Sequence, residues 1–146
     1  MKYSGMLKMT FIHWLVIALV VAYLADWLMQ RPDGRARDIN AVIDAKGSAA
    51  LRNYPYKFRV VRVSGDTAVL ATPRNVSVPA FRFLGIIHPG IDVKNPNDPA
   101  FIAAEKELAA VQSEAMTIAR AQEGIKGVQW ELDRAWLARH GIDVPN

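Results

Sequence analysis

The 146-residue chain contains no cysteine. Disulfides, iron–sulfur clusters and thiolate zinc sites are thereby excluded, and the redox compartment stays undecided. Histidine is scarce. His13, His88 and His140 are the three in the chain; none has a second histidine at metal-ligand spacing, and Pro89-Gly90 between His88 and Asp92 prevents the helical face that their spacing of four would need. No phosphate loop is present, because Gly85 and Gly90 lack the lysine and the spacing it needs. There is no Gly-x-Ser-x-Gly elbow, and Ser4, Ser48, Ser64, Ser77 and Ser113 have no evident triad partners. Glu105 and Glu107 lie two apart on an expected helix, which puts them on different faces. The sequence therefore names no catalytic, cofactor-binding or metal residue, and the expectation is a non-enzymatic protein without a cofactor. A pocket assembled from Arg82, His88 and Asp92 is the one arrangement that would argue for an enzyme.

What the chain does have is one long apolar run. Over residues 9–29 aliphatic and aromatic side chains dominate, and between Phe11 and Ala25 only His13 interrupts them. A helix of about 20 residues crosses the hydrocarbon layer of a bilayer, and this run meets that length. Tyr23 and Trp27 suit the interfacial belt, and Asp26 lies close enough to the end to reach the headgroups. His13, inside the run, is expected to snorkel or to contact a neighbouring helix. A cleaved secretory signal is the competing reading, with Val20 and Ala22 before a cleavage point at Tyr23. The apolar character continues through Leu24, Trp27, Leu28 and Met29, which favours a retained anchor. Lys2 and Lys8 on one flank nearly balance Arg31, Arg35 and Arg37 on the other, so orientation is weakly specified. A short tail kept inside would place the rest of the chain on the periplasmic side of a bacterial inner membrane.

The net charge of +4 is unevenly placed. Residues 30–82 hold ten Lys and Arg against four Asp, whereas residues 83–146 hold six basic and nine acidic residues. A basic half beside a bilayer is drawn to anionic headgroups, by about 1 kcal/mol per residue at the surface. Nucleic-acid binding is the competing reading of such a half. The bilayer is already within reach, so no nucleic-acid partner is expected, and Arg31, Arg35 and Arg37 are the candidate membrane-surface contacts.

The chain divides into a transmembrane anchor over residues 1–30, a linker over residues 31–37 and a soluble α+β domain over residues 38–146. Arg31-Pro32-Asp33-Gly34 breaks the first helix. Asp38 is read as the cap of a short helix carrying Ile39, Val42 and Ile43, ended by Gly47. Residues 56–63 read as a strand, Ser64-Gly65-Asp66 as a tight turn and residues 67–72 as the return strand. The stretch 81–87 fits either a buried strand or a short helix opening at Ser77. Asp98 and Pro99 open a long helix that closes before Gly124. Its stripe of Phe101, Ala104, Leu108, Val111, Ala115 and Ile118 packs on a sheet, with a coiled-coil seam as the alternative. Residues 125–132 alternate as a strand with Val128, Trp130 and Leu132 on one face, and Asp133 caps a last helix closed by Gly141. The expected class is α+β: one transmembrane helix, then a small sandwich with an antiparallel or mixed sheet and helices on one face.

Three pieces of this order resemble BON domains. They are the helix with Ile39-Asn40-Ala41-Val42-Ile43, the hairpin around Gly65-Asp66-Thr67-Ala68-Val69-Leu70, and the long helix running into Gly127-Val128-Gln129-Trp130-Glu131-Leu132. The resemblance covers residues 38–72 and 99–132. Residues 73–98 depart from it as an insert, and the second glycine usual after the hairpin is missing. It implies a small envelope-associated binding or scaffolding module in which phospholipid contact is possible, and it transfers no catalytic residue.

Two surfaces are candidates for contact. Phe81, Phe83, Leu84, Ile86 and Ile87 are either core or, if exposed, an apolar patch for a partner. With His13 and Trp27 they form the expected partner-contact set. Lys57, Arg59 and Arg62, with Arg52 nearby, alternate with apolar residues and are read as the solvated face of the sheet. The first functional expectation is an accessory or scaffold subunit docked on a larger membrane protein assembly. The second is a tethered module that binds the envelope or phospholipid.

Overall fold

The computed structural model describes the backbone of residues 3–30 and 34–145, and the side-chain surroundings of residues 10–27 and 34–145. Two compact units result, Met1–Asp33 and Gly34–Asn146.

The first unit is α1 (Tyr3–Gln30), 28 residues long and about 42 Å at 1.5 Å per residue. Its central 18 residues, Thr10–Trp27, have a mean hydropathy of 1.7, and none of them is buried. Apolar side chains occupy every side of this stretch, so no single stripe is set aside for packing against a domain. The helix is long and apolar enough to span a membrane.

The second unit begins with α2 (Gly34–Lys46) and α3 (Ala49–Arg52). Residues 34–37, which the sequence places in a linker, are therefore helical, and Ala36 is fully buried. Residues 31–33 lie outside the described residues. Ser48 caps α3 by accepting from the Leu51 N–H, and its own N–H and hydroxyl donate to the Glu114 carboxylate at 2.6 and 2.7 Å.

The sheet is built from β1 (Val60–Ser64), β2 (Thr67–Thr72) and β3 (Gly127–Leu132), in that order. β1 and β2 form an antiparallel hairpin in which Ser64 faces Thr67. Gly65, at φ +61°, takes the left-handed first position of a two-residue turn, which glycine occupies without a Cβ clash. β3 returns parallel to β2, Thr67 facing Gly127 through Thr72 facing Leu132, so the sheet is mixed. A parallel return needs a crossover. Here it contains α4 (Ala80–Ile87) and α5 (Pro99–Arg120).

Residues 81–87 are thus helix rather than strand. Asn75 Oδ1 accepts from the N–H groups of Ser77 and Val78, turning the chain just before α4 starts behind Pro79. Pro99 occupies the first turn of α5, but the Asp98 side chain makes no cap bond. The buried stripe of α5 is Phe101, Ala104, Leu108, Val111, Ala115 and Ala119, with Ile118 only partly buried. Asp133 caps α6 (Arg134–Arg139) by accepting from the Trp136 N–H.

Helices α2 and α5 pack on one face of the sheet. Val60, Ala68 and Leu70 join Ile39, Ile43, Leu108 and Ala115 in the core, with Val128 and Trp130 partly buried against it. The extended chain before β1 adds Tyr56 and Phe58, which the sequence assigns to the strand itself. The Tyr56 ring sits 5.0 Å from Phe58, 5.9 Å from Phe83 and 5.5 Å from Trp136, each near edge-to-face. A smaller cluster of Val78, Leu137 and Ile142 closes the end beside α6. On the opposite face Val69 and Ala71 are also buried, beneath an ion pair from Arg62 on β1 to Glu131 on β3. β2 lies between those strands, so the two side chains span it.

Candidate functional site

Among the described residues, α1 presents a continuous apolar surface. Phe11, Trp14, Leu15, Ile17, Leu19, Val20, Tyr23 and Trp27 are all exposed. His13 lies within this surface and is exposed too. Each such side chain favours transfer out of water, by roughly 1.5–3 kcal/mol for a fully buried Leu, Ile or Phe. None of the side chains over Thr10–Trp27 is buried among the described residues.

On the domain, the five residues of the 81–87 patch are separated by the turn of α4. Phe83 and Leu84 are fully buried, so they belong to the core and offer no surface. Ile86 and Ile87 are partly buried. Phe81 alone is left 45% exposed. An eight-residue amphipathic helix must bury one face and present the other, so a contiguous five-residue patch could not form. Phe81 instead lines an open recess of about 340 Å³ with Val93, Lys94, Pro96 and Phe101. The sequence signal for this recess is faint: an exposed phenylalanine opening one helix and a proline-rich loop before the next.

The basic residues fall at several separate places on the domain. Arg35 lies on α2 and donates to the carbonyls of Gly65 at 3.1 Å and Glu123 at 3.4 Å, joining the hairpin turn to the end of α5. The approach is close, because a Cβ on Gly124 would lie 2.9 Å from the Arg35 guanidinium. Arg37 is exposed, and Arg31 lies outside the described residues. Arg59 pairs with Asp44 at 2.8 Å. With Arg52 and Lys57 it borders a recess of only about 20 Å³, room for roughly one water. Arg62 is held by Glu131 on the outer face of the sheet.

Two buried phenols carry perturbed ionisation. Burial pushes Tyr54 well above its usual 10.0, reinforced by the Glu107 charge and opposed by Arg74. Tyr56 is pushed up likewise, by burial first, then by the Asp133 charge and by its hydrogen bond to that carboxylate. Both are neutral across the physiological range. Tyr54 Oη and His88 Nε2 are buried without a hydrogen-bond partner among the described residues. Asp92 accepts from the Lys94 N–H. Among the described residues no hydrogen bond or ion pair joins Arg82, His88 and Asp92, and no group of three metal-ligating side chains converges.

One feature escapes sequence reasoning altogether. Asn40, on α2, accepts from the Val60 N–H at 2.7 Å and donates to the Val60 carbonyl at 2.9 Å. A side-chain amide thus takes the place of a neighbouring strand at the β1 edge. Asparagine on a helix carries no sequence signal for such a role, because the partner lies 20 residues away. Comparison with protein-family models, with curated proteins and with solved structures finds no match to this chain.

Proposed function

We propose that this chain is a non-enzymatic, single-pass membrane protein whose α+β domain serves as an accessory or scaffold element of a larger membrane assembly. The observation that carries the reading is α1: 18 consecutive residues with a mean hydropathy of 1.7, none buried by the chain itself. A bilayer, together with helices of a partner, is the surrounding that satisfies such a helix. On this reading α1 crosses a bacterial inner membrane and the domain stands on the periplasmic side. His13 and Trp27 meet neighbouring helices, and Phe81 with its recess receives a side chain of the partner. The order of helix, hairpin, long helix and strand is the one on which the resemblance to BON domains rests.

The test uses the full chain in its native membrane. Retention after alkaline carbonate extraction is expected, together with a defined set of co-purifying proteins in mild detergent. His13→Leu and Phe81→Asp should deplete that set. Release of the chain by carbonate would sink the membrane reading, and an unchanged set with both variants would sink the docking reading.

A second reading is a tethered phospholipid-binding module. It is favoured by Arg52 and Lys57, which lie beside each other at one recess. It requires the full chain to drive clustering of anionic lipid around itself, weakened by salt. Lipid-independent behaviour in vesicles of mixed charge would remove it.

A further inference from the structure

The sheet has two edges, and the fold treats them differently. At β1 the Asn40 amide occupies both backbone groups of Val60, and the register shifts between Val60 and Arg62. Bulges and covered backbone are what proteins use to keep an edge from pairing. β3 has neither. From Val128 to Leu132 it also contains no lysine or proline, the residues that usually blunt an edge.

The bonds made by β3 show which of its backbone groups are open. The N–H groups of Gly127 and Asp133 reach β2 at the carbonyls of Asp66 and Thr72. In a parallel ladder alternate residues face the same neighbour, so Gln129 and Glu131 also face β2. Val128, Trp130 and Leu132 then direct their N–H and C=O groups away from the sheet. Among the described residues these groups have no hydrogen-bond partner. The side chains of the same three residues point to the helix-covered face yet stay only partly buried, whereas Ala68 and Leu70 on β2 are fully buried. What β3 lacks is a strand beside it.

The geometry points to a second copy of this chain as that strand, paired antiparallel through β3 about a two-fold axis at Trp130. In this register Trp130 faces its own equivalent and Val128 faces the second copy's Leu132, giving about six backbone hydrogen bonds. The outer face selects the occupant. Gln129 falls opposite the second copy's Glu131, twice by symmetry. Arg62 engages Glu131 through Oε2, so Oε1 can accept from the glutamine amide. A register centred on Glu131 would set two carboxylates against each other. One centred on Gln129 would need the Lys126 N–H, which is committed to Asp66. Charge and hydrogen bonding therefore choose one self-pairing, and it makes a single six-stranded sheet with α2 and α5 of both copies on one face. The pairing does not rest on the docking role proposed above, because its readout is self-association.

The test uses the full chain in mild detergent and in reconstituted vesicles. The absence of cysteine makes the Gln129→Cys/Glu131→Cys double variant clean. Opposed residues in such a non-hydrogen-bonded pair stand about 4.5 Å apart at Cα, within disulfide reach. A covalent dimer is expected on oxidation, with about tenfold less from either single variant, whose equivalent positions lie on a diagonal. Val128→Pro deletes an outward N–H that the isolated domain does not use. It should abolish the dimer while near-ultraviolet circular dichroism stays unchanged. Gln129→Glu, at an exposed position that does not threaten folding, should weaken association about fivefold, and Gln129→Lys should strengthen it. The proposal is overturned by a chain that sediments as a monomer, by single and double variants that crosslink equally, or by association indifferent to the charge at position 129. Dimers that persist in folded Val128→Pro overturn it too, and would move the contact to α1.

Discussion

Tyr56 Oη donates to Asp133 Oδ2 at 2.9 Å, while Oδ1 of the same carboxylate accepts from the Trp136 N–H at 3.0 Å. One side chain thus satisfies a buried phenol and caps α6, joining positions 77 residues apart. Asp133→Ala removes a cap worth about 1 kcal/mol and leaves the Tyr56 hydroxyl unpaired at a cost of about 1–3 kcal/mol. A combined loss of about 2–4 kcal/mol is expected in denaturant unfolding of the full chain in micelles. Asp133→Asn, which keeps an acceptor, should lose less. A change for Asp133→Ala no larger than for an exposed alanine substitution would refute the double role.

The two buried tyrosines should respond to the same substitution with opposite signs. Tyr56→Phe forfeits a hydrogen bond to a charged group and is expected to cost about 1.5–3 kcal/mol. Tyr54→Phe removes a buried hydroxyl that has no hydrogen-bond partner among the described residues, so it should be neutral or stabilise by about 1 kcal/mol. Thermal unfolding of the two variants side by side decides this.

Alkaline pH provides a separate check. Both phenols ionise above 10.0 in the fold but near 10.0 in the unfolded chain. The unfolded state therefore releases protons first as pH rises. Their contribution is complete below pH 10 and is lost above it, by up to about 1.4 kcal/mol per pH unit for each residue. Tyr56→Phe should flatten the fall measured between about pH 9 and 12. An unchanged slope would mean that Tyr56 ionises as freely in the fold as out of it.

The Arg62–Glu131 pair spans β2, but its side chains are 56% and 50% exposed. Solvent screening should hold its coupling in a double-mutant cycle to less than about 1 kcal/mol, fading with added salt. A coupling of several kcal/mol, insensitive to salt, would contradict that.

Asn40→Ala uncovers both backbone groups of Val60 at the β1 edge. A loss of about 1–3 kcal/mol is expected, with faster amide exchange at Val60 as the local signature. Exchange that stays slow would show that another group protects this edge.

Much of the fold could be read from local pattern. The turn at Gly65, the return strand over residues 67–72, Pro99 at the start of the long helix and Asp133 as a cap are all signalled by residues within a few positions of where they act. The misplaced boundaries have tertiary causes. Residues 34–37 look like linker until Ala36 is seen buried under the domain, and residues 56–59 look like strand until the ladder is seen to start at Val60. The candidate site was less legible. Phe83 and Leu84 are buried while Phe81 stays exposed because α4 lies on a core whose other members come from α2, the chain before β1, β2 and α5.

The sequence by itself determined the apolar helix of α1, because length and hydropathy are additive along a chain. It also determined the α+β class, because periods of two and of three to four residues are local. Only the tertiary structure decided that β3 runs parallel to β2, that Asn40 seals one edge of the sheet, and that the edge at β3 is left open. Each depends on pairing between residues distant in the chain, and no pattern within one segment specifies which neighbour it will meet.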